Sequence, residues 1–194
     1  MLAATPHVLD RLRTDTRSLH ERVEKRVDLH RRCATLDAYR GLLERMFGLH
    51  AALETALSRL DWTGTGIELA RRRKTHLIRA DLAALTGAAA ELPPPCERAP
   101  ELRTLAEGFG SLYVVEGSTL GGQLILRHLR RTLALGPDNG ASFFASYGPE
   151  VGPMWRAFGA AAEAHCTTPA RIQGAVDAAT STFEVFEAEL GAQP

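Results

Sequence analysis

The sequence predicts an all-α protein. Three observations carry that prediction. Apolar residues recur at spacings of three and four in nearly every long segment, no segment alternates convincingly with period two, and the breaks fall at clusters of glycine and proline. No internal repeat is present. A chain of 194 residues is long enough for one core, so a single domain over residues 1–194 is expected.

The first element is an amphipathic helix expected over about residues 7–28, with Val8, Leu12, Thr16, Leu19, Val23 and Val27 on one face. A second follows Thr35, a suitable N-cap, and carries Leu36, Tyr39, Leu43, Met46, His50, Leu53, Leu57 and Leu60 as its stripe. DWTGTG at 61–66 breaks it. A third is expected over about 67–86, with Leu77, Ile78, Leu82 and Leu85 apolar and Gly87 at its end. ELPPPCERAP at 91–100 reads as a loop, because consecutive prolines cannot enter a helix interior. A long helical stretch is expected over about 101–134, then a turn at GPDNG (136–140) and a helix near 149–165. The last helix, 169–190, begins TTP, a threonine cap with proline at the first helical position, and its stripe is Ile172, Val176, Ala179, Phe183, Phe186 and Leu190.

Composition excludes several function classes. With 23 basic and 23 acidic residues the formal net charge is zero, so no overall field attracts nucleic acid or an anionic membrane. No apolar run is long enough to span a bilayer, and the opening MLAATPHVLDRLR lacks the apolar region of a signal peptide. Cys33, Cys96 and Cys166 are odd in number, far apart and without zinc or CxxC spacing, the pattern of inert reduced thiols. A cytoplasmic protein without nucleic-acid or membrane partners is expected.

The segment YVVEGSTLGGQLIL (113–126) carries the strongest functional signal. Gly108, Gly110, Gly117, Gly121 and Gly122 fall in one helical stretch, although each interior glycine costs about 1 kcal/mol relative to alanine. Close helix crossing through Gly117 and Gly121, or a kink, would explain them structurally. A flat ligand approaching the backbone would explain them functionally. In LRTDTRSLHERVE, His20 sits at the edge of the apolar stripe, Arg13 and Arg17 precede it on the same face, and Glu24 follows at i+4. A carboxylate at that spacing suits the second ring nitrogen of a metal-bound imidazole; a surface ion pair is the plainer reading.

LRTDTRSLHERVE, LYVVEGSTLGGQ and TPARIQGAVDAATSTFEVFE occur in an order and spacing that resemble the haem oxygenase family, most closely its bacterial biliverdin-forming, bacteriophytochrome-associated branch. The resemblance covers nearly the whole chain. It implies a helical fold with haem b held between the N-terminal helix and a kinked distal helix, haem being both substrate and cofactor. His20 then matches the axial iron ligand, with Glu24 behind it, and Arg13 and Arg17 match positions directed at the propionates. Gly117, Gly121 and Gly122 match the distal helix, Phe183 a pocket aromatic, and Tyr113 and Arg156 lie near further family positions. The implied reaction is oxidative cleavage at a meso carbon, the α carbon, giving biliverdin, CO and ferrous iron. It uses O2 and an external electron donor such as a ferredoxin or reductase, since no flavin or nicotinamide motif is present. Ser118 stands where other branches carry aspartate; a hydroxyl can hold water but accepts less strongly than a carboxylate.

Two alternatives accompany this reading. A haem carrier or sensor would retain the pocket without turnover, and Ser118 keeps that open. A di-iron oxidase on the same fold is suggested by the pairs His20/Glu24 and His50/Glu54, but the chain has no Glu-x-x-His. His50 lies on a core stripe and reads as structural. RRRKTH (71–76) is expected to be a solvated helix face, with a docking patch for an acidic reductase as the other reading.

Overall fold

Nine α-helices and two 3-10 turns, with no strand, make up the described residues, 7–87 and 92–191, of the computed structural model. The all-α expectation holds. Readings that fall on residues 1–6 and on Glu91 lie outside the described residues.

The first expected helix is two, α1 (Val8–Asp15) and α2 (Arg17–Val27). Thr16 separates them at φ −102°, ψ 2°, and its hydroxyl donates to the Leu12 carbonyl at 2.6 Å. Such bonds from threonine to the carbonyl four residues back bend helices. The backbone bonds Thr16 N–H to Leu12 and His20 N–H to Thr16 run across the break, so the stripe Val8, Leu12, Thr16, Leu19 and Val27 still faces the core. Asp28, left-handed at φ 43°, ends α2 and caps α3 (Leu29–Arg32), a single turn too short for periodicity to register.

In α4 (Leu36–Ser58) the Thr35 hydroxyl accepts from Ala38 N–H, as expected. Leu36 is an exception to its stripe, exposed in the first turn, while Tyr39, Leu43, Met46, His50, Leu53 and Leu57 are buried. The third expected helix starts late. A 3-10 turn (Leu69–Arg72) and an extended Arg73 precede α5 (Thr75–Thr86), whose start is set by Glu54 of α4. That carboxylate accepts from Lys74 N–H, Thr75 N–H and the Thr75 hydroxyl at 2.5, 3.0 and 2.7 Å. Gly87, at φ 67°, closes α5.

The long helix, α6 (Leu105–Thr132), begins four residues later than expected, at a reciprocal cap between Thr104 and Glu107, and runs unbroken through its glycines. After the turn comes the four-residue α7 (Ser142–Ala145), which the sequence reading missed. Buried Asp81 of α5 holds its first turn by accepting from Ser142 N–H, the Ser142 hydroxyl and Phe143 N–H. The chain ends with α8 (Val151–His165) and α9 (Pro169–Gly191). Thr168 caps α9 as expected, and its stripe from Ile172 to Leu190 is buried. No described helix is long and apolar enough to cross a membrane.

Every long helix contributes to one hydrophobic core, with α6 packed most extensively on α9 and also against α7 and α8. The α6–α9 crossing is made close by Gly110. A Cβ there would overlap the carbonyl oxygen of Ala175, and one at Gly108 would press on Leu60 and Trp62. Close helix crossing therefore belongs to Gly110, and close packing under a connecting segment to Gly108, not to Gly117 and Gly121. Burial raises the thiols of Cys33 and Cys166 to about 12 and about 11, far from the ionised form that gives cysteine its reactivity.

The crossing generates a test. Gly110→Ala should lower unfolding stability by about 1–3 kcal/mol, the range for overpacking a filled core, despite alanine's better helix propensity. Urea denaturation checks it, and an unchanged or raised stability would show that the crossing does not depend on glycine.

Candidate functional site

The middle of α6 has a supported side and an open side. On the supported side, buried Gly122 faces α7, where a Cβ would lie 3.0 Å from the Phe144 carbonyl oxygen. Gln123 donates to the Ala145 carbonyl at 3.1 Å. Gly122 therefore packs closely against α7, where glycine relieves contact with the Phe144 backbone. On the open side, a Cβ at Gly121 would meet nothing within 4 Å, and one at Gly117 would make only ordinary contact with Trp155, at 3.9 Å. Packing does not require glycine at either position. Beside them Leu120 and Leu124 are 44% and 57% exposed. An open, apolar stretch of helix without side-chain bulk at 117 and 121 suits a flat apolar ligand.

Ser118 is exposed on this stretch, and its hydroxyl donates to the Val115 carbonyl at 2.7 Å. Its oxygen keeps acceptor capacity, but its proton is committed to the backbone.

Of the candidates, Glu24 and Phe183 meet His20. Its ring meets Phe183 of α9 edge to face at 5.7 Å, and its Nε2 lies 3.5 Å from Glu24 Oε1. The imidazole is about half exposed, so it is available as a ligand and not enclosed as a core residue. Arg13 and Arg17 are exposed and paired within their own segments, to Asp10 at 3.0 Å and Glu21 at 2.8 Å. Exposed pairs of this kind hold weakly, and both guanidinium groups can exchange them for a stronger anion. Half-buried Tyr113 connects α6 to this region. Burial raises its pKa, while the Arg13 charge and the Thr16 side chain pull it back. Its ring lies 5.8 Å from that of Trp155. Arg156 is exposed on α8 and its guanidinium lies near Gly152 of the same helix. Among the described contacts none joins it to His20 or to the open stretch of α6.

RRRKTH is only in part a solvated face, with Arg71, Arg73 and His76 exposed. Arg72 and Lys74 are buried, turned inward by the 3-10 turn that replaces the expected helix. Arg72 Nη1 donates to Glu116 Oε2 at 2.6 Å, and the Tyr147 hydroxyl donates to Glu116 Oε1 at 2.7 Å. Lys74 Nζ donates to the Ser146 hydroxyl at 2.9 Å and lies 3.4 Å from the Tyr147 ring centroid. Burial lowers the Lys74 ammonium to about 8. Burial also pushes the Glu116 carboxyl up, and Arg72, Tyr147 and Lys74 draw it back. The local reading missed this cluster, but a signal existed. Glu116 interrupts the apolar run YVVEG, and a carboxylate placed there needs a buried partner.

His50 is structural, as expected; burial and the Lys74 charge lower its pKa to about 3, so it is neutral. Glu54 is used in capping α5. Among the described residues no three or more His, Cys, Asp or Glu side chains form a group suited to a metal ion. The two His/Glu pairs therefore do not assemble a di-iron centre.

Comparison with known proteins bears on the family and the fold. A family model described as "Heme oxygenase" matches residues 7–190. A heme oxygenase of Xanthomonas campestris pv. campestris (strain 8004) is 33% identical over 160 residues, 81% of this chain and 91% of the relative. Among solved structures, the NO- and CO-bound heme oxygenase of Neisseria meningitidis aligns with a TM-score of 0.83 at 22% identity, over 96% of this chain and 91% of that one. A Synechocystis heme oxygenase in complex with heme aligns at 0.75 with 16% identity, over 95% and 91% of the two chains. At these identities the two structures speak for the fold.

The buried cluster predicts an asymmetry between single and double substitutions. Arg72→Leu alone strands the Glu116 carboxylate and should destabilise by about 3–5 kcal/mol, whereas adding Glu116→Leu should recover most of that loss. Equal losses in the single and double variants, measured by urea unfolding, would contradict a paired buried charge.

Proposed function

The chain belongs to the haem oxygenase family, and from that premise we propose that it cleaves haem b at the α-meso carbon to biliverdin, CO and ferrous iron. O2 and electrons from an external donor, a ferredoxin or reductase, complete the reaction. The observation that carries the reading is the open stretch of α6, where two glycines that packing does not require stand beside two exposed leucines.

The residues present fit a haem. An iron ligand needs an accessible imidazole, and His20 is about half exposed with Glu24 at 3.5 Å to orient its ring. Propionates need cations able to change partners, and Arg13 and Arg17 hold only exposed intrahelical pairs. The porphyrin faces need apolar contacts, which Phe183, Leu120 and Leu124 supply. Bound haem supplies the redox chemistry.

This chain's own residues do the rest. With haem bound, His20 would hold its iron, and Gly117 and Gly121 would leave room at the α6 backbone for a diatomic ligand. Arg13 and Arg17 would hold the propionates and so decide which meso edge is presented to α6. Ser118 Oγ, its proton engaged by Val115, accepts from water and holds it at the α6 surface. Tyr113 supports the α6 edge against the Thr16 bend. Gly122 packs against α7, and exposed Arg156 on α8 is a further cation for the propionates. The bacteriophytochrome as biliverdin acceptor, like the donor class, rests on sequence resemblance alone.

Haemin titration followed by reductant under air tests the reading. Wild type should bind one haem and form biliverdin, and His20→Ala should lose the histidine-ligated spectrum and turnover. Gly121→Phe should retain ferric haem yet lose CO binding, with turnover down on the order of 100-fold, the scale of a small misplacement at a reacting centre. Normal CO binding and biliverdin yield in Gly121→Phe would show that the ligand side of α6 lies elsewhere.

The arginines predict a separate readout. The double variant Arg13→Ala, Arg17→Ala should weaken haem binding and yield a mixture of biliverdin isomers. An unchanged isomer distribution with unchanged affinity would remove both residues from the site.

A further inference from the structure

Behind the supported side of α6 lies a small cavity, lined by His50, Leu57, Leu69, Arg72, Leu112 and Val115 among others, with room for about one water molecule. Two buried polar atoms of its lining have no protein partner, Nε2 of His50 and Nε of Arg72. Both side chains are more than nine-tenths buried, His50 at 2% exposure and Arg72 at 5%. The atoms are chemically complementary. A guanidinium Nε always carries a hydrogen, whereas a neutral imidazole has one bare nitrogen that accepts. Unpaired, each would carry the full penalty of a buried polar group.

We propose that one ordered water occupies this cavity, accepting the Nε–H of Arg72 and donating to Nε2 of His50, and that His50 thereby acts as a positioning residue for the Gly117 backbone. The guanidinium is planar, so its three corners are set together. Nη1 donates to Glu116 at 2.6 Å and Nη2 to the Met154 carbonyl of α8 at 3.4 Å. The water supplies the third corner and ties the plane to α4 through His50. Glu116 is the residue before Gly117, and Tyr147 holds its other oxygen. Fixing Arg72 therefore fixes the turn of α6 that carries Gly117. The positioning role rests on the haem oxygenase reading; the water site does not.

Long-range 1H–15N spectra of the full chain labelled at histidine test the water site directly. His50 should be the neutral Nδ1–H tautomer, with Nε2 accepting a hydrogen bond and no titration between about pH 5 and 8, where ordinary histidines change charge. An Nε2–H tautomer or an imidazolium would overturn the site. The haem-loaded protein tests positioning by comparing His50→Leu with His50→Gln, whose amide oxygen can accept from the same water. His50→Leu should shift the C–O stretch of the ferrous CO form and lower turnover roughly tenfold, the size seen when a supporting partner is lost. Haem affinity should change little, and His50→Gln should restore both readouts. Identical behaviour of the Leu and Gln variants would overturn the positioning role. If wild-type protein forms no biliverdin, the functional reading and the positioning role fall together, and the tautomer still decides the water site.

Discussion

The buried ion pair between Arg72 and Glu116 is the constraint on which the arrangement of α6 depends. Removing two charges from water costs several kcal/mol per ion, and pairing alone often fails to offset it. Apolar residues at these positions would serve stability at least as well. The pair instead gives α6 one rotational setting. Glu116 must face Arg72 and Tyr147, and with a rotation of 100° per residue that choice places Gly117 and Gly121 on another side of the helix. Arg72 also reaches the Met154 carbonyl, so α8 shares the same anchor.

The five glycines of α6 divide accordingly. Gly108 and Gly110 bring neighbouring chain close, the former under Leu60 and Trp62 and the latter at the backbone of α9, and Gly122 does the same for α7. Their propensity cost is offset by burial that a side chain would prevent. Gly117 and Gly121 have no such compensation. Together with exposed Leu120 and Leu124 they form the part of the helix left unexplained by folding, and the proposed ligand site rests on them.

Much of the fold was legible because helical period is local. The stripes of α4 and α9, the caps at Thr35 and Thr168 and the stop at Gly87 all follow from residues within a few positions of one another. What escaped depended on distant partners. Nothing near Thr16 announces that its hydroxyl will bend the first helix, and α7 exists because Asp81, 61 residues earlier, caps it. Arg72 and Lys74 read as solvated because their acceptors, Glu116 and Ser146, lie far along the chain. Of the candidate site, His20, Glu24 and Phe183 do come together, and the space beside Gly121 is open. That Gly122 also packs on α7 was not legible, because adjacent glycines on a helix point in different directions and only the position of Phe144 shows which one packs.

The central claim is that α6 is held from one side so that its other side can receive haem beside His20. Amide hydrogen exchange of the full chain with and without one equivalent of haemin tests this most directly. The account predicts that added protection concentrates in residues 17–24 and 117–124, while α5 and α7 on the supported side change little. Protection centred on α5 and α7, or none in 117–124, would contradict it.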